Sequence, residues 1–104
     1  KTWEFMRQNH LPGGQTIRDM GRSLFSEVIT GGTGFGLGGS VVTDVVDTQQ
    51  PGSEGTFSWG GLASTFFWID PEEELIGIQM TQLMPSSAYP LRQALRAMVY
   101  GALV

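Results

Sequence analysis

One stretch constrains the chain more than any other: Phe57-Ser58-Trp59-Gly60-Gly61-Leu62-Ala63-Ser64-Thr65-Phe66-Phe67-Trp68-Ile69-Asp70-Pro71. It holds two of the three tryptophans and three of the six phenylalanines. From Thr65 to Ile69 the run is apolar on both faces, because successive side chains of a strand point to opposite sides. Phe67 and Ile69 take one side, Phe66 and Trp68 the other. A strand apolar on both sides expects cover on both. Asp70-Pro71 ends it with turn chemistry. Gly60-Gly61 breaks the preceding strand-like run. Glycine inside a strand marks either a bulge or a close approach of a ligand or another backbone. The stretch therefore reads as two neighbouring strands, the first with a gap in its side-chain cover.

Composition bounds what these strands can belong to. A length of 104 residues suits one small domain or a piece of a larger one. Fifteen glycines are about twice ordinary usage, so tight turns and bulges are expected. The net charge of −4, with no basic patch, argues against a nucleic-acid partner. No cysteine is present, which removes disulfides and thiolate metal sites. A single histidine without a carboxylate cluster gives no reason to expect a metal or other cofactor. No apolar run reaches membrane-spanning length. The opening residues lack a signal-peptide pattern, and the compartment stays open.

Ahead of the central stretch, Lys1 to Asn9 reads as a short helix with Trp3, Met6 and His10 on one face, ended by Pro12-Gly13-Gly14. His10 has two uses, a catalytic base or a cap at the helix end. Nothing nearby orients it as a base, so capping or packing is expected. Gln15 to Glu27 reads as an irregular connection, with a short strand over Leu24–Thr30. Gly34, Gly36 and Gly39 formally match a dinucleotide fingerprint. That fingerprint needs a following helix, and the β-branched run Ser40–Val46 reads as a strand instead. The glycines are expected in a loop entering that strand, where backbones pass closely. Asp47 to Gly55 is a polar loop, short enough for the flanking strands to pair antiparallel.

After the central stretch, Glu72-Glu73-Glu74 reads as a solvated hairpin tip rather than a cation site. Leu75 to Leu83 alternates, with Ile76, Ile78 and Met80 on one face. Pro85-Ser86-Ser87 opens the last element, with Ser86 or Ser87 as cap and Pro90 in the first turn. Leu91, Ala94, Leu95, Met98, Val99 and Ala102 then give a C-terminal helix one apolar face. Arg92, Gln93 and Arg96 fall on the other, wet face. The fold class expected is α+β: an antiparallel sheet with a C-terminal helix packed on it.

With these residues in view, the chain resembles a known family. Phe35-Gly36-Leu37-Gly38, then Gly55-x-Phe57-x-Trp59-Gly60-Gly61, then Phe67-Trp68-Ile69-Asp70-Pro71 and Met80-Thr81-Gln82 are similar to the C-terminal part of serine β-lactamase-like hydrolases. The nearest sub-group is the esterases of the class C β-lactamase and DD-peptidase superfamily, which includes penicillin-binding proteins. Asn9-His10-Leu11-Pro12-Gly13-Gly14 also resembles a segment of that family. The resemblance implies acyl transfer to serine on a small ester or amide. It implies that Trp59-Gly60-Gly61 stands where the family has Lys-Thr-Gly. Trp59, Gly60 and Gly61 would then line the substrate, and the backbone N–H of Leu62 would be one oxyanion donor. Bare glycines would let substrate lie against the strand. A tryptophan in place of the lysine offers an apolar stacking surface and favours neutral esters over β-lactams.

The departures from the family are as informative. The only lysine is Lys1, so a Ser-x-x-Lys cannot be formed. Neither Tyr89 nor Tyr100 begins a Tyr-x-Asn. The expectation is a C-terminal fragment over residues 1–104, one wall of a cleft without its nucleophile and not catalytic alone. A non-catalytic binding or assembly module is the reading from a different class; a portion of a β-lactamase or DD-peptidase is a weaker one. In the family, strands from the N-terminal end of the chain complete the sheet beside Leu75–Leu83. The partners expected are therefore the remainder of the enzyme or a second copy meeting that edge.

Overall fold

A computed structural model describes residues 1–20 and 31–104. The Leu24–Thr30 strand expected from sequence lies outside the described residues. The opening helix, α1 (Thr2–Met6), is shorter than the sequence suggests. Its Trp3 ring meets Phe57 edge-on at 5.3 Å, which seats the helix on the sheet. Pro12–Gly14 forms a separate 3-10 turn. The His10 Nε2 lies 2.8 Å from the Phe5 carbonyl oxygen, and its ring packs edge-on against Phe5. The histidine thus closes the helix end and packs there. The connection that follows is not irregular throughout: α2 (Ile17–Met20) occupies part of it. Thr16 and Asp19 cap one another, each side chain taking the other's backbone N–H, at 2.8 and 3.3 Å.

Five strands form one antiparallel sheet in chain order: β1 (Thr33–Phe35), β2 (Ser40–Val42), β3 (Phe57–Gly60), β4 (Phe66–Asp70) and β5 (Leu75–Gln79). The glycine-rich stretch is a hairpin rather than a loop, because β1 lies inside it. Its glycines are the places of close approach: a Cβ at Gly36 would run into the Met6 carbonyl oxygen, and one at Gly34 into the Asn9 side chain. The β-branched run ends as a strand at Val42. Asp44 then accepts the Asp47 N–H at 3.1 Å and starts α3 (Val45–Thr48), so a cap overrides the β preference of Val45-Val46.

β4 behaves as its two-faced sequence requires. Phe66, Trp68 and Asp70 are buried, and Phe67 and Ile69 are half-buried on the opposite side. The glutamates turn the chain into β5, whose Ile76, Ile78 and Met80 are 65%, 60% and 83% exposed along its outer face and end. β5 is an edge strand, with β4 its neighbour in the sheet.

The final helix, α4 (Leu91–Ala102), starts at Pro90 with no side-chain cap from the serines. Its orientation departs from the expected one. Arg92 and Arg96, assigned to the wet face, lie on the sheet with Tyr100. The Arg92 guanidinium sits 5.1 Å over the Phe66 ring, Arg96 5.9 Å over Trp68, and the Tyr100 hydroxyl donates to Asp70 at 2.6 Å. The match is geometric. Four helical residues rise about 6 Å; two strand residues rise about 6.6 Å. Positions 92, 96 and 100 therefore step along 66, 68 and 70 in register. Among the described residues no helix is long and apolar enough to cross a membrane.

Candidate functional site

β3 delivers its last residues to a turn held on several sides. The Gly61 N–H donates to the Thr65 carbonyl at 2.9 Å, closing the β3–β4 pairing. The Gly61 carbonyl accepts the Ser64 N–H at 3.1 Å, so Gly61 to Ser64 is a β-turn with Leu62 at its first central position. Ser64 has a left-handed φ of 69°, and its hydroxyl donates to the Leu83 carbonyl at 2.6 Å. The Thr81 hydroxyl donates to the Ala63 carbonyl at 2.7 Å, and the Gln79 amide to the Ser64 carbonyl at 3.0 Å. The segment after β5 thus straps the turn in place.

Two groups in this region are left facing outward. Trp59 is 47% exposed and rests edge-on against Phe35 at 5.1 Å. The side chain of Leu62 is also exposed, and among the described residues no acceptor takes its backbone N–H. The two glycines are not alike. Gly61 has open space where a Cβ would sit. At Gly60 that space is filled: a Cβ would lie 2.6 Å from the Arg92 Nη2 and 2.9 Å from the Thr65 carbonyl oxygen. The expected gap in side-chain cover is therefore at Gly61 alone. Gly60 is bare because a guanidinium lies across it.

Sequence reasoning singled out Trp59, Gly60, Gly61 and Leu62; Trp59 and Gly60 end β3, and Gly61 and Leu62 begin the turn that follows. It missed Arg92, whose Nη2 donates to the Gly61 carbonyl at 2.8 Å across 31 residues of sequence. The signal available was the Arg92, Arg96, Tyr100 spacing set against the alternation Phe66, Trp68, Asp70. At the far end of that stripe Tyr100 donates to Asp70. Burial, then the hydrogen bond to Asp70, push the Tyr100 phenol up to about 12. Burial pushes Asp70 up as well, but the hydrogen bonds it accepts, Tyr100's first, outweigh burial and hold its carboxyl below the usual range. Among the described residues no three His, Asp or Glu side chains gather to hold a metal ion.

No family model matches the chain. A stretch of 57 residues is 44% identical to two Mycobacterium tuberculosis proteins, protein Rv1367c of strain H37Rv and the uncharacterized protein MT1414 of strain CDC 1551. It spans 52% of this chain but 14% of theirs. Among solved structures, EstCE1, a hydrolase with promiscuous acyltransferase activity, superposes with a TM-score of 0.74 at 28% identity, over 93% of this chain and 23% of its own. Simvastatin synthase (LovD) from Aspergillus terreus follows with a TM-score of 0.66 at 23% identity, over 88% of this chain and 24% of its own. The chain thus spans about a quarter of the solved enzymes it matches. Its architecture, a five-stranded antiparallel sheet with a terminal helix on it, is similar to that of the β-lactamase-like fold.

Proposed function

We propose that this chain is the C-terminal portion of an esterase-type serine hydrolase and forms one wall of its acyl-binding cleft. The observation that carries the reading is the Leu62 N–H, in the turn after β3, which no acceptor among the described residues takes, beside the open flank of Gly61. A backbone donor fixed by its turn and without a partner among the described residues suits a developing oxyanion, because it needs no reorganisation as charge forms. Trp59 and Gly61 would line the substrate side, with Gly60 between them covered by Arg92, and the exposed indole of Trp59 would favour a neutral acyl or alcohol group. The nucleophile and the proton-transfer groups would come from outside this chain, which holds no Ser-x-x-Lys and no Tyr-x-Asn.

The test uses the full-length protein that carries this chain, assayed with p-nitrophenyl esters. Leu62→Pro removes the N–H while suiting the first central position of its turn. It should lower kcat by about a hundred- to a thousandfold. Gly61→Val should cost about ten- to a thousandfold by crowding the cleft. A folded Leu62→Pro enzyme with near-normal turnover would remove the oxyanion role. The isolated chain should show no ester hydrolysis above background. Turnover by the purified chain that is abolished by replacing one of its serines would overturn the reading.

A further inference from the structure

The Leu62 N–H and the Gly61 carbonyl belong to one planar peptide group, so whatever holds the carbonyl also aims the N–H. Two donors hold it: the Ser64 N–H at 3.1 Å and the Arg92 Nη2 at 2.8 Å. The second is charged, and a guanidinium keeps its charge at any pH an enzyme meets. A charge-assisted bond to the carbonyl draws electron density from the peptide and makes its N–H a stronger donor, since bonded groups in series polarise one another.

The guanidinium is itself fixed from below and beside. It lies 5.1 Å over the Phe66 ring. It also covers the flank of Gly60, where a Cβ would come within 2.6 Å of Nη2. Glycine at position 60 is thus the condition for Arg92 to reach Gly61. The last helix, the aromatic face of β4 and the end of β3 meet at one group, the Arg92 guanidinium.

We infer that Arg92 is a positioning residue for the oxyanion donor: it polarises and orients the Gly61–Leu62 peptide so that the Leu62 N–H faces the reacting carbonyl. This rests on the oxyanion role proposed for Leu62. Arg92 need not touch substrate for this. Its contribution should appear in the transition state, where the oxygen carries charge, and hardly at all in ground-state binding.

The experiment is a mutant cycle in the full-length enzyme, read as kcat and KM on a p-nitrophenyl ester with the melting temperature as a fold check. Arg92→Met keeps the bulk over Phe66 and removes the charge and the donor. It should lower kcat by about ten- to a hundredfold and leave KM within about threefold. Gly60→Ala displaces the guanidinium without altering Arg92 and should give the same pattern. Arg92→Lys restores a charged donor and should recover part of the lost kcat. In the Leu62→Pro background, Arg92→Met should cost nothing further, because its target N–H is already gone. A merely structural arginine would give an additive loss there. If Leu62→Pro itself leaves kcat intact, the oxyanion reading has failed. If Leu62→Pro costs activity but folded Arg92→Met or Gly60→Ala keeps kcat within about threefold, or the double variant is additive, the role given to Arg92 is wrong.

Discussion

Trp68 shows how tightly single residues are tied in this sheet. It is 1% exposed, stacked beside Phe66 at 5.9 Å, with Arg96 above it and β5 beneath. It lies against Gly77 of β5 so closely that a Cβ there would overlap the indole ring. Gly77→Ala should therefore cost about 1–3 kcal/mol by overpacking, read as a lower midpoint of denaturant unfolding. An unchanged midpoint would mean the indole has room to move. Two residues further along β4, Asp70 accepts the Tyr100 hydroxyl and the N–H groups of Glu72 and Glu73. Tyr100→Phe should cost about 2 kcal/mol near neutral pH, because it takes one bond from a buried carboxylate. The sign of the pH dependence follows from the phenol. Its folded pKa is raised to about 12, against about 10 in the unfolded chain. Its contribution is whole below about 10 and disappears as pH rises toward 12, so the gap between wild type and Tyr100→Phe should close over that window. Asp70 acts at the other end. Its lowered pKa stabilises the fold above the ordinary carboxylate range, and that part is lost as pH falls through the depressed value. A gap that is flat from pH 9 to 12 would deny the Tyr100–Asp70 bond.

At the scale of elements, what is legible in sequence is whatever depends on period and punctuation. The β3–β4–β5 meander could be read because Phe66-Phe67-Trp68-Ile69 alternates faces and Asp70-Pro71 and the glutamates stop it. Trp59, Gly60, Gly61 and Leu62 could be read because they are consecutive. Two elements could not. Val45-Val46 looks like strand, but Asp44 supplies a cap that only the backbone geometry reveals. Asp44→Ala should cost about 1 kcal/mol and speed hydrogen exchange at Asp47 and Thr48; unaltered exchange would mean that α3 does not depend on its cap. α4 misleads for a different reason. Its apolar positions form a stripe, and a stripe is ordinarily taken to face the core. Here arginine supplies the packing face. Its methylene stem and flat guanidinium cover Phe66 and Trp68 as an apolar side chain would, and its donors reach carbonyl and amide oxygens besides. No count of hydrophobic residues separates such an arginine from a solvated one. Arg92 in the candidate site was hidden for the same reason.

At the scale of the whole molecule, apolar surface is left on two sides. On α4, Met98 is 66% exposed while the arginine stripe takes the sheet. On β5 and just past its end, Ile76, Ile78 and Met80 stand out beside an edge that no other described strand pairs. A monomer rarely leaves such surfaces adjoining a free edge, because the edge recruits another strand and the apolar side chains reward it. The chain covers 23% of EstCE1, so the reading as part of a larger enzyme supplies a natural occupant: strands from the remainder of the protein. The chain by itself should then not persist as a clean monomer. Sedimentation or light scattering over a dilution series should show self-association at roughly 10–100 micromolar. Co-expression with the remainder of the full-length protein should suppress it by filling the edge. Ile78→Lys sharpens the test, since a lysine on an edge strand opposes pairing with a second copy. It should shift the isolated chain toward monomer while the α4 surface is untouched. Association that survives Ile78→Lys unchanged would move the contact away from β5, to the outward face of α4. A compact monomer with a single cooperative melt at those concentrations would refute the argument altogether, and would mean that Val41, Val42, Phe57, Phe66 and Trp68 make a sufficient core without any partner.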